Sequence, residues 1–446
     1  MKKQYISYKA FLVFFAFLTG CDWMGKDPAP PLPGERIPVM LYDSTLKASE
    51  ILKDVPVVFP FPEKNKGWLQ AGGVSSHAMP PLALGETLKI KANFSIGEGS
   101  SKRVRLLIEP IASSTHIFTM DTHYQVSCFD QTTQERIWRV TVSDENHSGV
   151  ALGGGLALDG DVLLVTTSMG DTLALDAATG NEKWRTSLSV PVRAAPMLAE
   201  GLVFVITMNN TLEVMSQETG ERIWSHTGVA EIASILGSSN PAYERDIVVT
   251  PYSSGEIVAL NAQTGMLLWL ENLANMRQRD GLMGIAHVRA RPVIEEGRVY
   301  ALSHSGRMLS LDLETGERLW EQEIGGLYAP AIGGDFLFVV TYGGQLIALQ
   351  KQTGKIKWVT NLSEAFHKMK EEDKETETKE IHWVGPILGG GNIIVAGSQG
   401  DVLRVSPETG QLISYFNIGE KIFMTPIIVN EQLILLGDEG NLHIYE

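Results

Sequence analysis

The sequence predicts an all-β chain: an eight-bladed β-propeller of four-stranded antiparallel blades, closed by a strand from its own N-terminal side. Three observations carry that prediction. One phrase recurs eight times at a near-constant interval, each copy alternates apolar and polar residues about a turn, and glycine is frequent, at 44 of 446 residues. Alternation with a period of two marks a half-buried strand, and glycine supplies the positive φ of sharp reversals.

The phrase is complete at 170–184 (GDTLALDAATGNEKW) and 306–320 (GRMLSLDLETGERLW), with close copies at 210–224, 255–269 and 344–358. A worn copy ends at Trp138 and carries Gln134 in place of the turn glycine. Another begins at Gly400 and has lost its tryptophan, and the last begins at Gly440 and stops before its turn. Between copies lie further pairs of strand signals, such as Ala195-Pro196-Met197-Leu198 followed by 202–206, so each repeat holds four strands. From Gly170 to Gly440 six intervals in 270 residues give 45 per repeat, the length of a four-stranded blade. Eight such blades place the propeller at 88–446. The eighth copy lacks an outer strand, and the alternating segment 88–94 (LKIKANF) is expected to supply it. Burial of Leu88, Ile90 and Phe94 there would contribute about 1.5–3 kcal/mol each and hide an open sheet edge.

Ahead of the ring, Lys2 and Lys3 precede the apolar run 10–18 (AFLVFFAFL), the order of a secretory signal and too short to span a bilayer. Residues 1–20 are read as that signal peptide. It ends in Leu18-Thr19-Gly20-Cys21, which resembles the lipobox of bacterial lipoproteins and makes Cys21 the lipidation site. Acyl chains on Cys21 would hold the protein on a membrane at about 0.8 kcal/mol per buried methylene. Residues 21–87 then form a lipidated N-terminus, a proline-rich tether (26–38, KDPAPPLPGERIP) and a short ordered segment, with a helix within 44–54 and an edge segment at 55–62.

Composition excludes several functions. Lys plus Arg is 37 against 52 Asp plus Glu, a net charge of −15, which argues against nucleic acid. Two cysteines, Cys21 and Cys128, are too few for a disulfide framework or a four-thiolate zinc site. The ten histidines show no HExxH spacing, no GxSxG elbow occurs, and Asp159-Gly160-Asp161 reads as a hairpin turn. Gly153 to Gly155 and Gly389 to Gly391 precede strand signals, so they read as turns or tight packing and not as phosphate loops. No catalytic, metal-binding or cofactor-binding residue is assigned.

The repeat resembles that of pyrroloquinoline-quinone-type propellers, whose tryptophans dock between neighbouring blades. Trp138, Trp184, Trp224, Trp269, Trp320 and Trp358 hold that position, and aromatic burial favours interblade packing over ligand stacking. Quinoprotein dehydrogenases share the repeat, but this chain lacks their adjacent cysteine pair and has no haem CxxCH. A quinoprotein enzyme and a ligand-sensing propeller stay as alternatives, because a shared fold does not imply shared chemistry.

An exported lipoprotein built almost wholly of one propeller resembles the BamB family of outer-membrane assembly lipoproteins. That resemblance implies a non-catalytic periplasmic scaffold of the β-barrel assembly (BAM) complex, lipid-anchored at the outer membrane. It further implies binding to the POTRA region of a BamA-like barrel protein, with unfolded outer-membrane proteins as a second compatible partner. Asp22 resembles an inner-membrane retention signal of enteric bacteria and leaves the destination membrane open. The family contacts its partner through a leucine-and-arginine loop before an Ala-Pro strand, where Val192 and Arg193 match in character. A later acidic contact is replaced by Arg289 and Arg291, which read equally as partner contacts or as exposed rim residues. The insertion 362–381 carries seven acids and four lysines, and reads as a solvated helix or loop with Ser363 as its N-cap.

Overall fold

The eight copies become eight separate four-stranded antiparallel sheets. This computed structural model describes residues 46–143, 153–231, 239–274, 287–370 and 380–446. The expected signal peptide, Cys21, Asp22, the proline-rich tether and part of the charged insertion lie outside those residues. Blades 1 to 7 occupy 111–141, 154–187, 197–227, 242–272, 293–322, 331–361 and 383–417. Blade 8 joins three C-terminal strands, 427–445, to the strand Ile90–Ser95. The second and third strands of each blade are almost wholly buried, as at Leu202–Ile206 and Thr211–Ser216 in blade 3, and apolar side chains fill the space between neighbouring blades.

Closure follows the sequence reading with one correction. Ile90–Ser95 runs antiparallel to the final strand, pairing Phe94 with Leu442 and Ala92 with Ile444, and the Lys89 N–H donates to the Glu446 carbonyl at 2.9 Å. Leu88 and Phe94 pack on the blade 8 core, but Ile90 is 59% exposed. A register shift between Ile90 and Ala92 turns Ile90 outward and brings Ala92 in. Equivalent shifts precede the tryptophan position in the outer strands of the other seven blades. A bulge of this kind adds a residue to one strand and swaps which side chains face the core.

The six repeat tryptophans join neighbouring blades. Trp138, Trp184, Trp224, Trp269, Trp320 and Trp358 donate their indole N–H groups to Ala177, Gln217, Ala262, Leu313, Lys351 and Pro407 of the next blade, at 2.8–3.0 Å. Each ring also lies against the turn glycine of that next blade: Gly180, Gly220, Gly265, Gly316, Gly354 and Gly410. A Cβ there would sit 2.4–2.8 Å from the indole. These glycines have φ between +68° and +75°, so conformation and contact both select glycine.

Two departures in the repeat obey the same lock. Blade 8 presents Ala92 where blades 1 to 6 present tryptophan, and the turn it would press in blade 1 carries Gln134, at φ +59°. Without a ring at that turn, a side chain fits. Blade 7 presents Ser414 at the tryptophan position, and the blade that follows has no turn between its third and fourth strands, which come from opposite ends of the chain.

The charged insertion begins as a helix, Leu362–Met369, whose Leu362 and Phe366 are buried against the ring. Its N-cap is Asn361, whose side chain accepts from the Glu364 N–H; Ser363 instead accepts from the Trp383 indole at 3.0 Å. Asn361 is the last strand residue, and its extended backbone meets the geometry that an N-cap requires.

Gly201 and Gly220 separate the two demands on the turn glycine. Their φ values are +74° and +72°, yet a Cβ at Gly201 meets nothing within 4 Å, whereas one at Gly220 falls 2.4 Å from Trp184. In urea denaturation Gly201→Ala should cost about 1 kcal/mol, and Gly220→Ala about 1–3 kcal/mol more. Equal losses would mean that the ring contact does not constrain the turn.

Candidate functional site

Antiparallel order sends the turn between strands one and two, and the Thr-Gly turn, to one face of the ring. The turn between strands two and three and the connection to the next blade lie on the other.

The first face is crossed by the chain's own N-terminal segment. Residues 47–87 belong to the same compact unit as the ring. Trp68 exchanges two backbone hydrogen bonds with Ala112 of blade 1, and the Leu69 carbonyl accepts from Leu158 of blade 2. The Gln70 side chain accepts from the Leu198 N–H of blade 3 at 2.8 Å. Ser75 and Ser76 carbonyls accept from Tyr243 of blade 4 and Ile294 of blade 5, Leu82 donates to Leu388 of blade 7, and Asn65 accepts from Asn430 of blade 8. In blade 6, Gly333 and Gly334 admit Phe59 and Val58 at distances that leave no room for a Cβ. All eight inner strands therefore touch one segment. His77 lies within it, fully buried, with Nδ1 2.8 Å from the Pro292 carbonyl; burial, with Arg291 nearby, holds its pKa down to about 3.

On the second face the connections converge on the axis in a common register. Seven blades carry proline in a common register at the inner strand: Pro110, Pro196, Pro241, Pro292, Pro330 and Pro426 stand just before it, and Pro386 lies within the blade 7 strand Trp383–Gly389. Among the described residues, the third position before that proline is Leu107, Arg193, Arg289, Leu327, Trp383 or Phe423, and all six line the axial cavities on this face. The outer of these cavities has a volume of about 710 Å³ and includes Arg105, Tyr328 and Tyr342. The position just before the proline, deeper along the axis, supplies Glu109, Ala195, Asn240, Arg291 and Ala329 to a cavity of about 60 Å³.

This register sorts the four residues expected to bind a partner. Arg193 and Arg289, 96 positions apart in sequence, meet at the mouth. Arg289 lies over the Tyr328 ring at 5.4 Å. Val192 does not join them: it is fully buried in the core between blades 2 and 3 and bridges Thr207. One position along an extended chain reverses the direction of the side chain, so the residue before the mouth position faces the core, as do Leu106, Val288 and Ile422. Arg291 is not an exposed rim residue either. It pairs with Glu109 at 2.7 Å, inside the channel, with both side chains largely buried. Glu109, Tyr328 and Phe423 carry no repeat phrase, and the spacing to the inner-strand proline was the signal that finds them.

Arg105, Arg193 and Arg289 line the mouth, with Asp438 and Glu380 beside them. His287 is buried, and its pKa is held down to about 4, first by burial and then by Arg289, Arg193 and His304. Two arginines among the half-buried Leu107, Leu327, Tyr328 and Phe423 make the residue mixture that dominates binding energy at protein interfaces, whereas Trp383 is buried in the core behind them and donates to Ser363. The residues here do not fit a quinone site of the dehydrogenase kind. Cys128 is a lone thiol in the core between blades 1 and 2, its pKa pushed up to about 12 by burial and by Asp130. Among the described residues no three His, Cys, Asp or Glu side chains gather where they could hold a metal ion.

Fold and repeat define a propeller of the pyrroloquinoline-quinone repeat class. The family model described as outer membrane protein assembly factor BamB matches residues 123–360, more than half of the chain, and the chain belongs to that family. The BamB of Yersinia pestis is 22% identical over 345 residues, covering 76% of this chain and 84% of that protein. The crystal structure of BamB from Moraxella catarrhalis superposes with a TM-score of 0.68 at 20% identity, covering 81% of this chain and all of that one. Quinohemoprotein alcohol dehydrogenase from Comamonas testosteroni superposes with a TM-score of 0.64 at 12% identity, covering 86% and 81% of the two chains. At these identities the superpositions establish the fold alone.

The depressed pKa of His287 sets a pH dependence. Its neutral form is favoured in the folded state, so its full contribution to stability is present above the unfolded pKa of about 6.5 and is lost as pH falls towards about 4. The loss is on the order of 3 kcal/mol. Urea midpoints measured between pH 7.5 and 4.5 should fall less steeply for His287→Gln than for the unsubstituted protein; parallel slopes would contradict the assignment.

Proposed function

We propose that this chain is a non-catalytic periplasmic scaffold of the outer-membrane β-barrel assembly machinery, held at the outer membrane by lipid on Cys21. In this reading the open face of the ring binds the POTRA region of a BamA-like barrel protein, with Arg193 and Arg289 contacting it at the mouth. Membership of the assembly-factor family supports the setting. The single observation that carries the site is the ring of mouth residues, two arginines set among exposed or half-buried aromatic and aliphatic side chains on the face that the N-terminal segment leaves open.

A rigid ring that displays connections of varied sequence around one opening suits such a role, because loops on a fixed frame change partner contacts without changing the frame. Val192, buried in the core, serves to fix the backbone that aims Arg193. Arg291, paired with Glu109, orders the wall beneath.

The experiment is co-purification of the barrel protein's POTRA region with the full-length chain. Reversing the mouth charge with Arg193→Glu or Arg289→Glu should weaken capture by about tenfold or more. Arg136→Glu, on the exposed outer wall of blade 1, should leave it unchanged. Thermal midpoints of all three should stay within a few degrees of the parent. Capture by the two mouth variants at the parent level would contradict the proposed face.

A further inference from the structure

The segment that crosses the first face begins along blades 6 and 7, and it is pinned there. The Ser49 N–H donates to the Ile356 carbonyl at 2.7 Å. Lys357, only 6% exposed, donates to the Leu52 and Val55 carbonyls and pairs with Glu408 at 3.0 Å; Glu408 in turn accepts from the Val57 N–H at 2.6 Å. Val55, Val57 and Phe59 pack on the core between blades 6 and 7, with the Phe59 ring edge-on to Phe338 at 5.8 Å. A buried ammonium needs such oxygens around it, so these contacts fix the path of the chain.

What this pinned stretch turns outward is apolar. Phe61, Ile51 and Val58 are 95%, 72% and 68% exposed, the highest values for large apolar side chains among the described residues. Pro56, Pro60 and Pro62 are exposed beside them. Proline has no N–H, so this surface has few backbone donors to strip of water when it is covered. Lys47, Lys53, Lys64 and Lys66 surround it against Glu50, Asp54 and Glu63, charges that nearly cancel in a chain that carries −15 overall. Large apolar side chains held open together on a fixed backbone mark a contact surface.

We propose that Ile51, Val58 and Phe61 form a wedge that seats in the interfacial layer of a phospholipid membrane, the one that carries the lipid on Cys21. Apolar side chains flanked by lysines settle at the boundary between headgroups and acyl chains. Residues 22–45 join Cys21 to this segment and span at most about 80 Å, so an anchored chain keeps the wedge within reach of one bilayer at high effective concentration. A protein partner suits the surface less well, since its prolines withhold the backbone donors that hydrogen-bond across protein interfaces. Seating at this edge turns the mouth, on the opposite face of the ring, away from the bilayer. The choice of membrane rests on the anchor proposed above; the exposed wedge does not.

The test places a nitroxide on the acylated full chain in vesicles of phosphatidylethanolamine and phosphatidylglycerol, at Pro62→Cys beside the wedge or at Asn209→Cys on the mouth face. Cys128, buried and with its thiol pKa pushed up to about 12, stays unlabelled. Power saturation in electron paramagnetic resonance should find the label at 62 open to oxygen and shielded from a water-soluble nickel chelate, with the opposite preference at 209. Val58→Asp combined with Phe61→Asp should erase that shielding and leave the thermal midpoint unchanged, since both side chains already meet solvent. Equal access of the chelate to both labels, or shielding that survives the double substitution, overturns the proposal. So does shielding at 62 in the unacylated Cys21→Ser chain without vesicles, which assigns the wedge to a second copy. Vesicle binding of the Cys21→Ser chain keeps wedge and anchor apart, because it needs no lipid on the protein, and it should fall at least about tenfold in the double variant. An unmodified Cys21 in mass spectrometry of the chain from envelope membranes would remove the anchor while that loss upheld the wedge; equal binding by the two chains would sink the wedge with the anchor intact.

Discussion

The ring depends on one contact repeated six times, a tryptophan from one blade laid flat against the turn glycine of the next. Each contact buries a large aromatic surface, satisfies the indole N–H and leaves no space for a side chain on the turn. Since donor and acceptor sit on different blades, none of them is locally complete, and the blades hold one another in register. Where the lock is absent, both of its halves are absent. Ala92 faces Gln134, and Ser414 faces a blade that has no turn of its own in that place. The gap coincides with the closing blade, where pairing between the two ends of the chain replaces the missing rings.

A ring held together from blade to blade leaves its axis to other uses. One end is spanned by the chain's own segment, which draws a hydrogen bond or a close contact from the inner strand of every blade. The other end is formed by connections that carry no structural load comparable to the tryptophans, so their sequences are free to differ. That asymmetry gives a symmetric frame two unlike faces, and the Arg291–Glu109 pair lies between them.

Much of the frame was legible because each blade states its geometry more than once, in alternation, in the Thr-Gly turn and in the closing tryptophan. The misreading of Ile90 has a definite cause. The bulge adds a residue without any mark in 88–94, and only the outward residues before each tryptophan, such as Arg222 and Ile223, betray it. Val192 matches a partner contact by chemical character alone, and strand alternation buries it and turns the half-buried Arg193 towards the axis instead. Arg291 could not be placed from sequence, because Glu109 reaches it only after the ring closes. The segment spanning the first face was the least legible, since its bonds are made by backbone groups and by glycines such as Gly72 and Gly73 and leave no periodic trace.

Exchange of the six repeat indole N–H protons, assigned by single Trp→Phe replacements, tests the interblade lock most directly. A ring held from blade to blade requires all six to exchange together, at the rate of global unfolding. Exchange in separate steps, one blade after another, would show that the blades are independent units and that the lock does not unite them.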